Sequence, residues 1–128
     1  MISRRSILVA VVLAALPLRA RAGVSTPFSP AAFERAQAEG RTILVHVTAP
    51  WCGTCRAQKR VLPEILASQD FSEILWLDVD FDSQADVRKA LDARHQSTMV
   101  LFKGSREIAR AVGETDPTAI RAFLLHAL

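Results

Sequence analysis

Three short apolar runs alternate with segments of helical periodicity between residue 42 and the C-terminus. The runs occupy residues 42–47, 74–80 and 99–102. The first is too continuously apolar for a half-exposed strand, which is typical of a central strand covered on both faces. Between the runs, apolar residues recur at intervals of three or four, as they do on one face of a helix. The pattern therefore predicts strands and helices in alternation.

Turn and cap residues set the boundaries of these elements. Ser29 followed by Pro30 predicts an N-cap with proline at the first helical position, and Gly40 ends that helix. Pro63 lies inside the helix that follows residue 55, so we expect a kink or a break there. The remaining elements are a linker or very short edge strand at 24–27, a helix around 85–91, a hairpin through Gly104 joining 99–102 to 108–112, and a last helix begun by Asp116-Pro117 with Ile120, Phe123 and Leu124 on its buried face.

The resulting order is (β)αβαβαββα, and the 128 residues suffice for one domain. Strands that alternate with helices and end in a hairpin favour a central mixed β-sheet flanked by helices. We therefore predict a single domain of the α/β class.

The two cysteines of the chain, Cys52 and Cys55, lie three residues apart where the first apolar run ends and a helix begins. The first turn of a helix offers unpaired N–H groups and the positive end of the dipole, and both stabilise an anion. A cysteine there ionises more easily than a free one, whose pKa is about 8.5. Thiolate is the attacking species in disulfide exchange. Cys52 is the predicted nucleophile, and Cys55 would resolve the mixed disulfide.

Two other roles of a cysteine pair, zinc binding and a purely structural disulfide, fit the sequence less well. A closed structural zinc site needs four ligands, and the chain has no second cysteine pair and only scattered histidines, His46, His95 and His126. A purely structural disulfide would close a very short loop, which contributes less stability than a long one. Strand, tryptophan, cysteine pair and helix in that order favour redox activity.

At this point the chain resembles the thioredoxin family. Trp51-Cys52-Gly53-Thr54-Cys55 differs from the family's Trp-Cys-Gly-Pro-Cys in the fourth residue, and 98–104 and Val112-Gly113 are similar to later family segments. The resemblance covers about residues 28–128. It implies the thioredoxin fold and exchange of electrons with protein disulfides or dithiols, with no cofactor or metal, in a monomer reset by a membrane or soluble redox partner. It also implies a substrate-binding surface formed by Trp51, Gly53, Thr54, Gln96, Ser97 and Thr98.

The chain departs from the family pattern at three positions. Ser97 stands where the family has a cis-proline, and because a cis bond before another residue costs about 2.5–4 kcal/mol, we expect a trans bond and a differently shaped loop. Ser97 then either donates a hydrogen bond to thiolate or substrate, or belongs to a loop that no longer needs the turn. Thr54 replaces the proline that accompanies a strongly reducing couple, which suggests a milder one.

His46 is the third departure, because it occupies the position of the family's buried acid. A histidine could take and return the proton of Cys55, since its unperturbed pKa of about 6.5 suits proton transfer near neutral pH. Alternatively it is a buried neutral histidine bonded to a backbone carbonyl. Strand alternation predicts burial in either case, on the same face as Leu44 and Thr48.

The N-terminus has the pattern of an export signal. Residues 1–22 contain four arginines and no acid, with an apolar run at 7–16 and a small-x-small pattern at Ala20-Arg21-Ala22. We predict a signal peptide over 1–22 and a redox domain over 23–128, located in the periplasm. Arg4-Arg5 resembles a twin-arginine signal, with an ordinary secretory signal or an uncleaved anchor as the alternatives.

Removing this segment changes the charge of the chain. The whole chain is +3, but the segment holds four of its sixteen basic residues, so residues 23–128 carry twelve bases against thirteen acids, a charge of −1. No basic stripe remains, which argues against a nucleic-acid partner.

Reduction of substrates is the favoured direction of electron flow, with oxidation or isomerisation open. A rival interpretation is a metal- or iron–sulfur-binding module, in which two chains share a cluster through the same thiols, or the thiol pair holds copper(I). A third is a binding domain with an idle disulfide.

Overall fold

The computed structural model describes residues 21–128, so most of the predicted signal segment, residues 1–20, lies outside the described residues. The predicted order of elements is confirmed. Two short 3-10 turns follow the second and last helices, at Gln69–Phe71 and Leu125–Ala127. The elements are β1 (Thr26–Pro27), α1 (Pro30–Ala38), β2 (Thr42–Thr48), α2 (Gly53–Ala67), β3 (Leu75–Asp80), α3 (Ala85–Ala90), β4 (Thr98–Lys103), β5 (Arg106–Val112) and α4 (Pro117–Leu124).

The strands form one mixed sheet in the order β1-β3-β2-β4-β5. β3 runs parallel to both β1 and β2, whereas β4 is antiparallel to β2 and β5 is antiparallel to β4. β2 is central, as its continuous apolar character predicts. Its register places His46 beside Asp78 of β3 and Met99 of β4.

Two apolar clusters cover the two faces of the sheet. Ile43, Val45 and Val47 of β2 pack on one side with residues of α1 and α3. Leu44 packs on the other side with residues of α2 and α4, among them Leu62 and Ile120. This alternation sends His46 to the α2 side of the sheet, where it is fully buried.

Helix α2 runs from Gly53 to Ala67 and passes through Pro63 without interruption. The expected break is therefore wrong. Proline removes one backbone donor from the helix, but Leu62 and Leu66 on either side of it are fully buried against the sheet. Tertiary packing holds the turn in place, and the helix continues unbroken from the cysteines to the core.

The two edges of the sheet differ. β1 contributes two residues at one edge, and β5 closes the other with a register irregularity opposite Leu101 and Phe102. Arg106, Glu107 and Arg110 of β5 are exposed. Within residues 21–128, no helix is both long and apolar enough to cross a membrane.

Candidate redox site

Cys52 and Cys55 form a disulfide at the junction of β2 and α2, with Cα atoms 5.3 Å apart. Cys52 is the N-cap of α2, and its Sγ accepts a hydrogen bond from the Cys55 backbone N–H at 3.1 Å. Gly53 and Thr54 between them are exposed, whereas Cys52 is 5% and Cys55 1% exposed. The same N–H points at the sulfur that would carry negative charge after reduction, which stabilises a thiolate at Cys52.

Ser97 lies directly beside the disulfide. Its Oγ is 3.5 Å from Cys52 Sγ and 3.6 Å from Cys55 Sγ. Because disulfide sulfurs carry no hydrogen, the hydroxyl is the donor in these contacts. The bond before Ser97 is trans, as expected, and Ser97 has a φ of +60°. This left-handed conformation is strained for a residue with a side chain.

The backbone of Ser97 is tied to the protein on both sides. Its N–H donates to Val47 O at 2.8 Å, and its carbonyl accepts from the N–H of Gly113 at 3.0 Å. A proline here could not make the first of these bonds, since it has no N–H. The two bonds hold the serine hydroxyl over the sulfurs. The two residues beside Ser97 that were also predicted to bind substrate are less accessible or turned away. Gln96 is half-buried, and the Thr98 hydroxyl points inward and donates to His95 O at 2.6 Å.

Trp51, the residue before Cys52, has an exposed side chain. Its side chain is 57% exposed. The indole Nε1 donates to Asp82 Oδ2 at 2.8 Å, and the ring meets Phe81 edge-on with centroids 5.9 Å apart. Trp51 is thus fixed in orientation while its face remains open. Asp82 was not singled out from the sequence, because the turn after β3 gives no local sign of where it points.

His46 does not contact the cysteines through a hydrogen bond in the described part of the chain. Its Nε2 is 2.6 Å from Gln58 Oε1, and its Nδ1 is 3.6 Å from Asp78 Oδ1. Lys59 Nζ lies 3.1 Å from the other carboxylate oxygen of Asp78. The histidine is therefore one member of a polar unit formed by β2, α2 and β3.

Gln58 is the residue of this unit that sequence reasoning missed. It is fully buried, and its Nε2 donates to Ser97 O at 3.1 Å and to Glu114 O at 2.9 Å. A signal was present in the sequence, since Gln58 falls on the same helical face as Cys55 and Leu62. A polar residue on the buried face of a helix must find partners inside the protein.

The Asp78 carboxyl has a pKa below its usual value. Burial raises this pKa, but the close approach of His46 and the charge of Lys59 together lower it by more. Asp78 also lines a cleft of about 500 Å³, together with Cys55 and Lys59. The cleft connects Cys55 with Asp78 and Lys59 of the buried unit.

The described residues 21–128 contain no group of three or more histidine, cysteine or acidic side chains arranged to hold a metal ion. A metal on Cys52 and Cys55 would need ligands from elsewhere.

Comparison with known proteins gives a consistent picture. A family model described as thioredoxin matches residues 24–126. Among solved structures, Trxlp from Edwardsiella tarda is 37% identical, with 79% of this chain and 98% of that chain covered and a TM-score of 0.77. Among curated relatives, the thioredoxin Asp f 29 of Aspergillus fumigatus is 27% identical over 93 residues, which are 73% of this chain and 84% of that protein. Thioredoxin from Trypanosoma brucei brucei shares the fold, with a TM-score of 0.74 at 20% identity and coverage of 88% and 97%.

Proposed function

The chain belongs to the thioredoxin family and is a thiol–disulfide oxidoreductase, and from this premise we propose that it reduces disulfides of exported proteins with Cys52 as nucleophile. The observation that carries the assignment of roles is the position of Cys52. Its sulfur accepts a hydrogen bond from the Cys55 N–H and is the more exposed of the two, whereas Cys55 is almost fully buried behind it; the Ser97 hydroxyl lies at a similar distance from both sulfurs. The first cysteine is thus stabilised as thiolate, and the second is shielded from direct attack on a partner.

The proposed reaction has two exchange steps. The Cys52 thiolate attacks one sulfur of a substrate disulfide, forming a mixed disulfide and releasing the other substrate sulfur as thiolate. Cys55 then loses its proton and attacks Cys52 Sγ, which forms the Cys52–Cys55 disulfide and releases the second substrate thiolate. Two electrons pass from the cysteine pair to the substrate. A dithiol donor, membrane-bound or soluble, returns the pair to the reduced form.

The proton of Cys55 leaves through the cleft. In the disulfide form Cys55 Sγ lies 3.9 Å from Val47 O. After reduction this carbonyl can accept a weak hydrogen bond from the thiol, but it is not basic enough to take the proton. The cleft beside Cys55 carries the Asp78 carboxylate and the Lys59 ammonium. His46 adjoins Asp78, so we propose that it orients the Asp78 carboxylate in this proton path and does not contact Cys55 directly.

Binding of the partner chain is proposed for the surface around the disulfide. Trp51, Gly53 and Thr54 are exposed on one side, and Gln96 is half-buried on the other. Ser97 and Thr98 would contribute through the shape of their loop, because their side chains contact the sulfurs and His95 O. The molecule is proposed to act as a monomer.

Export is proposed from residues 1–22 and places the domain in the periplasm. The arginines before the apolar run and the small-x-small pattern support this location. Thr54 between the cysteines supports a couple milder than that of thioredoxin, which is about −270 mV.

Two cysteine variants test the assignment. Cys55→Ser should accumulate a mixed disulfide with a substrate protein, seen as a covalent adduct that dithiothreitol releases, while Cys52→Ser should form none. Adducts formed by Cys52→Ser and absent from Cys55→Ser would reverse the assigned roles. N-terminal sequencing of the protein from a periplasmic fraction should give Gly23 as the first residue, and recovery of the intact chain from the cytosol would refute export.

The cluster-binding alternative has less support from the geometry. A shared iron–sulfur cluster needs four cysteine ligands, so both sulfurs of each copy would have to face the partner. Cys55 is 1% exposed and Ser97 covers both sulfurs in the disulfide form. Purification of the mature protein from metal-replete cells should therefore give a colourless protein, and a bound cluster would restore this alternative.

A further inference from the structure

We propose that Gln58 is a positioning residue that holds His46 as a buried imidazolium beneath the cysteine pair and thereby makes the couple less reducing. Only the effect of His46 on the reduction potential depends on the proposed redox function of Cys52 and Cys55. The protonation of His46 itself follows from the hydrogen bonds of the buried unit.

The orientation of the Gln58 amide is determined by its partners. Its Nε2 faces two backbone carbonyls, Ser97 O and Glu114 O, which can only accept. A flipped amide would point its oxygen at both of them and lose both bonds. Gln58 Oε1 must therefore face His46 Nε2, and because an amide oxygen only accepts, Nε2 must carry a hydrogen.

Whether the His46 ring is neutral or positively charged then depends on whether Nδ1 also carries a hydrogen. His46 Nδ1 and Asp78 Oδ1 face each other at 3.6 Å, and both are buried atoms without a hydrogen-bond partner among residues 21–128. In a neutral ring with its hydrogen on Nε2, a lone pair on Nδ1 would face a carboxylate oxygen, which is repulsive and leaves both atoms unsatisfied. One more proton between these two atoms removes the conflict, and a small movement of either side chain would close the hydrogen bond.

Lys59 determines on which side of the contact that proton resides. Its ammonium lies 3.1 Å from Asp78 Oδ2, so it favours the ionised carboxylate. The proton therefore belongs to Nδ1, and the ring carries a positive charge. The charged groups on this side of the ring are Asp78 from β3 and Lys59 from α2 behind it, while β4 contributes the uncharged Met99. The ring is connected to the cysteine pair through Gln58 and Ser97.

A buried positive charge near the pair favours the thiolate over the uncharged disulfide. Reduction of the disulfide takes up two electrons and, when one sulfur remains a thiolate, one proton. The imidazolium lowers the free energy of this reduced form, so its loss should favour the disulfide. Gln58 also links the ring to the sulfurs mechanically, since the carbonyl that it binds belongs to Ser97.

The test is nitrogen NMR of the His46 ring at pH 7 in the oxidised protein, which needs no substrate. We expect protons on both ring nitrogens in the natural sequence. In Gln58→Met, which removes the acceptor at similar volume, the ring should keep one proton, on Nδ1 towards Asp78. In Gln58→Glu, whose carboxylate can still accept from Nε2, both protons should remain, although this variant also loses the bonds to Ser97 and Glu114.

The potential is the second readout. Equilibration with glutathione should show the Gln58→Met disulfide favoured about tenfold more than in the natural sequence, about 30 mV for a two-electron couple. Gln58→Glu adds a negative charge beside the pair, so it serves the NMR readout alone, and Gln69→Leu on the surface is the control for the potential. A single ring proton in the natural protein would overturn the proposal even if no variant folds, and so would two ring protons in Gln58→Met. The proposed reductase function fails by a different result, namely the absence of an adduct with Cys55→Ser.

Discussion

The hydroxyl oxygen of Ser97 lies 3.5 Å from Sγ of Cys52, although 45 residues separate them in the sequence. The contact exists because Ser97 adopts a left-handed conformation and is bound through its backbone to Val47 and Gly113. A proline in this place would offer neither the hydroxyl nor the N–H. Substitution of one residue has thus added a hydrogen-bond donor to the redox pair.

Loss of this donor should slow the reaction of Cys52. In the reduced protein, Ser97→Ala removes one hydrogen bond to the thiolate, so a smaller fraction of Cys52 is ionised. We expect alkylation of Cys52 by iodoacetamide at pH 6 to slow by roughly three- to tenfold. Ser105→Ala, at an exposed serine between β4 and β5, is the control. An unchanged rate would show that the hydroxyl does not act on the thiolate.

Stability should separate two variants that both lack the hydroxyl. Ser97→Gly relieves the left-handed strain at φ +60°, whereas Ser97→Ala retains it. We expect Ser97→Gly to have a free energy of unfolding about 1 kcal/mol higher than Ser97→Ala in urea denaturation. Equal stabilities would mean that the loop relaxes to another conformation when the serine is removed.

Asp78 should make stability depend on acid pH. Its pKa in the folded state is below the ordinary 3.8, despite burial, because His46 and Lys59 favour the carboxylate. The ionised group therefore contributes stability that is present in full above about pH 5 and is lost as the pH falls below 3.8, through the folded-state pKa. The stability difference between the natural protein and Asp78→Asn should be largest at pH 7 and shrink towards pH 3. Asp70→Asn, in an exposed ion pair, should show a much smaller difference at both pH values.

Asp82 should affect substrate binding more than chemistry. Without its carboxylate, the indole of Trp51 loses its fixed orientation beside Cys52. We expect Asp82→Ala to raise KM for a disulfide-containing protein about threefold, with kcat nearly unchanged, since the energy of such an exposed bond is about 1 kcal/mol or less. In a Trp76→Phe background the emission of Trp51 alone should also shift. A fall in kcat with constant KM would place Asp82 in the chemistry instead.

The N-terminal arginines should be needed for export. Replacing Arg4 and Arg5 together by lysine keeps the charge but removes the pair that a twin-arginine route reads. We expect the double variant to remain in the cytosol as the full-length chain in a bacterial host. Replacement of Arg19 and Arg21 by lysine is the charge-matched control and should still be exported. Normal export of the first variant would identify an ordinary secretory signal.

The elements and the cysteine pair could be predicted because their signals are local. Ser29 caps α1 and Asp116 caps α4 through bonds to backbone N–H groups three residues ahead. The continuous apolar run of β2 predicts a central strand from its own sequence alone. The break expected at Pro63 was wrong because the expectation considered only the backbone donor that proline removes. In the folded protein, the burial of Leu62 and Leu66 holds the helix against the sheet.

The polar unit beneath the site could not be predicted, because its contacts are set by how distant elements dock. His46 and Asp78 become neighbours only through the register of two parallel strands. Gln58 reaches Ser97 and Glu114 across 39 and 56 residues of sequence. The burial of His46 followed from strand alternation, but its partners required the packing of α2 on the sheet.

The exposed charges of β5 have a consequence for how molecules meet in solution. An open sheet edge invites another strand, and charged residues and register irregularities oppose such pairing. β5 has both, and Arg110 is further fixed by its bonds to Glu107 and to the carbonyls of Leu91 and Asp92. Because β1 offers only two residues at the opposite edge, neither side is a template for stacking. Strand pairing at either edge is therefore disfavoured, which leaves the exposed face of Trp51 beside Cys52 as the surface open to a partner chain.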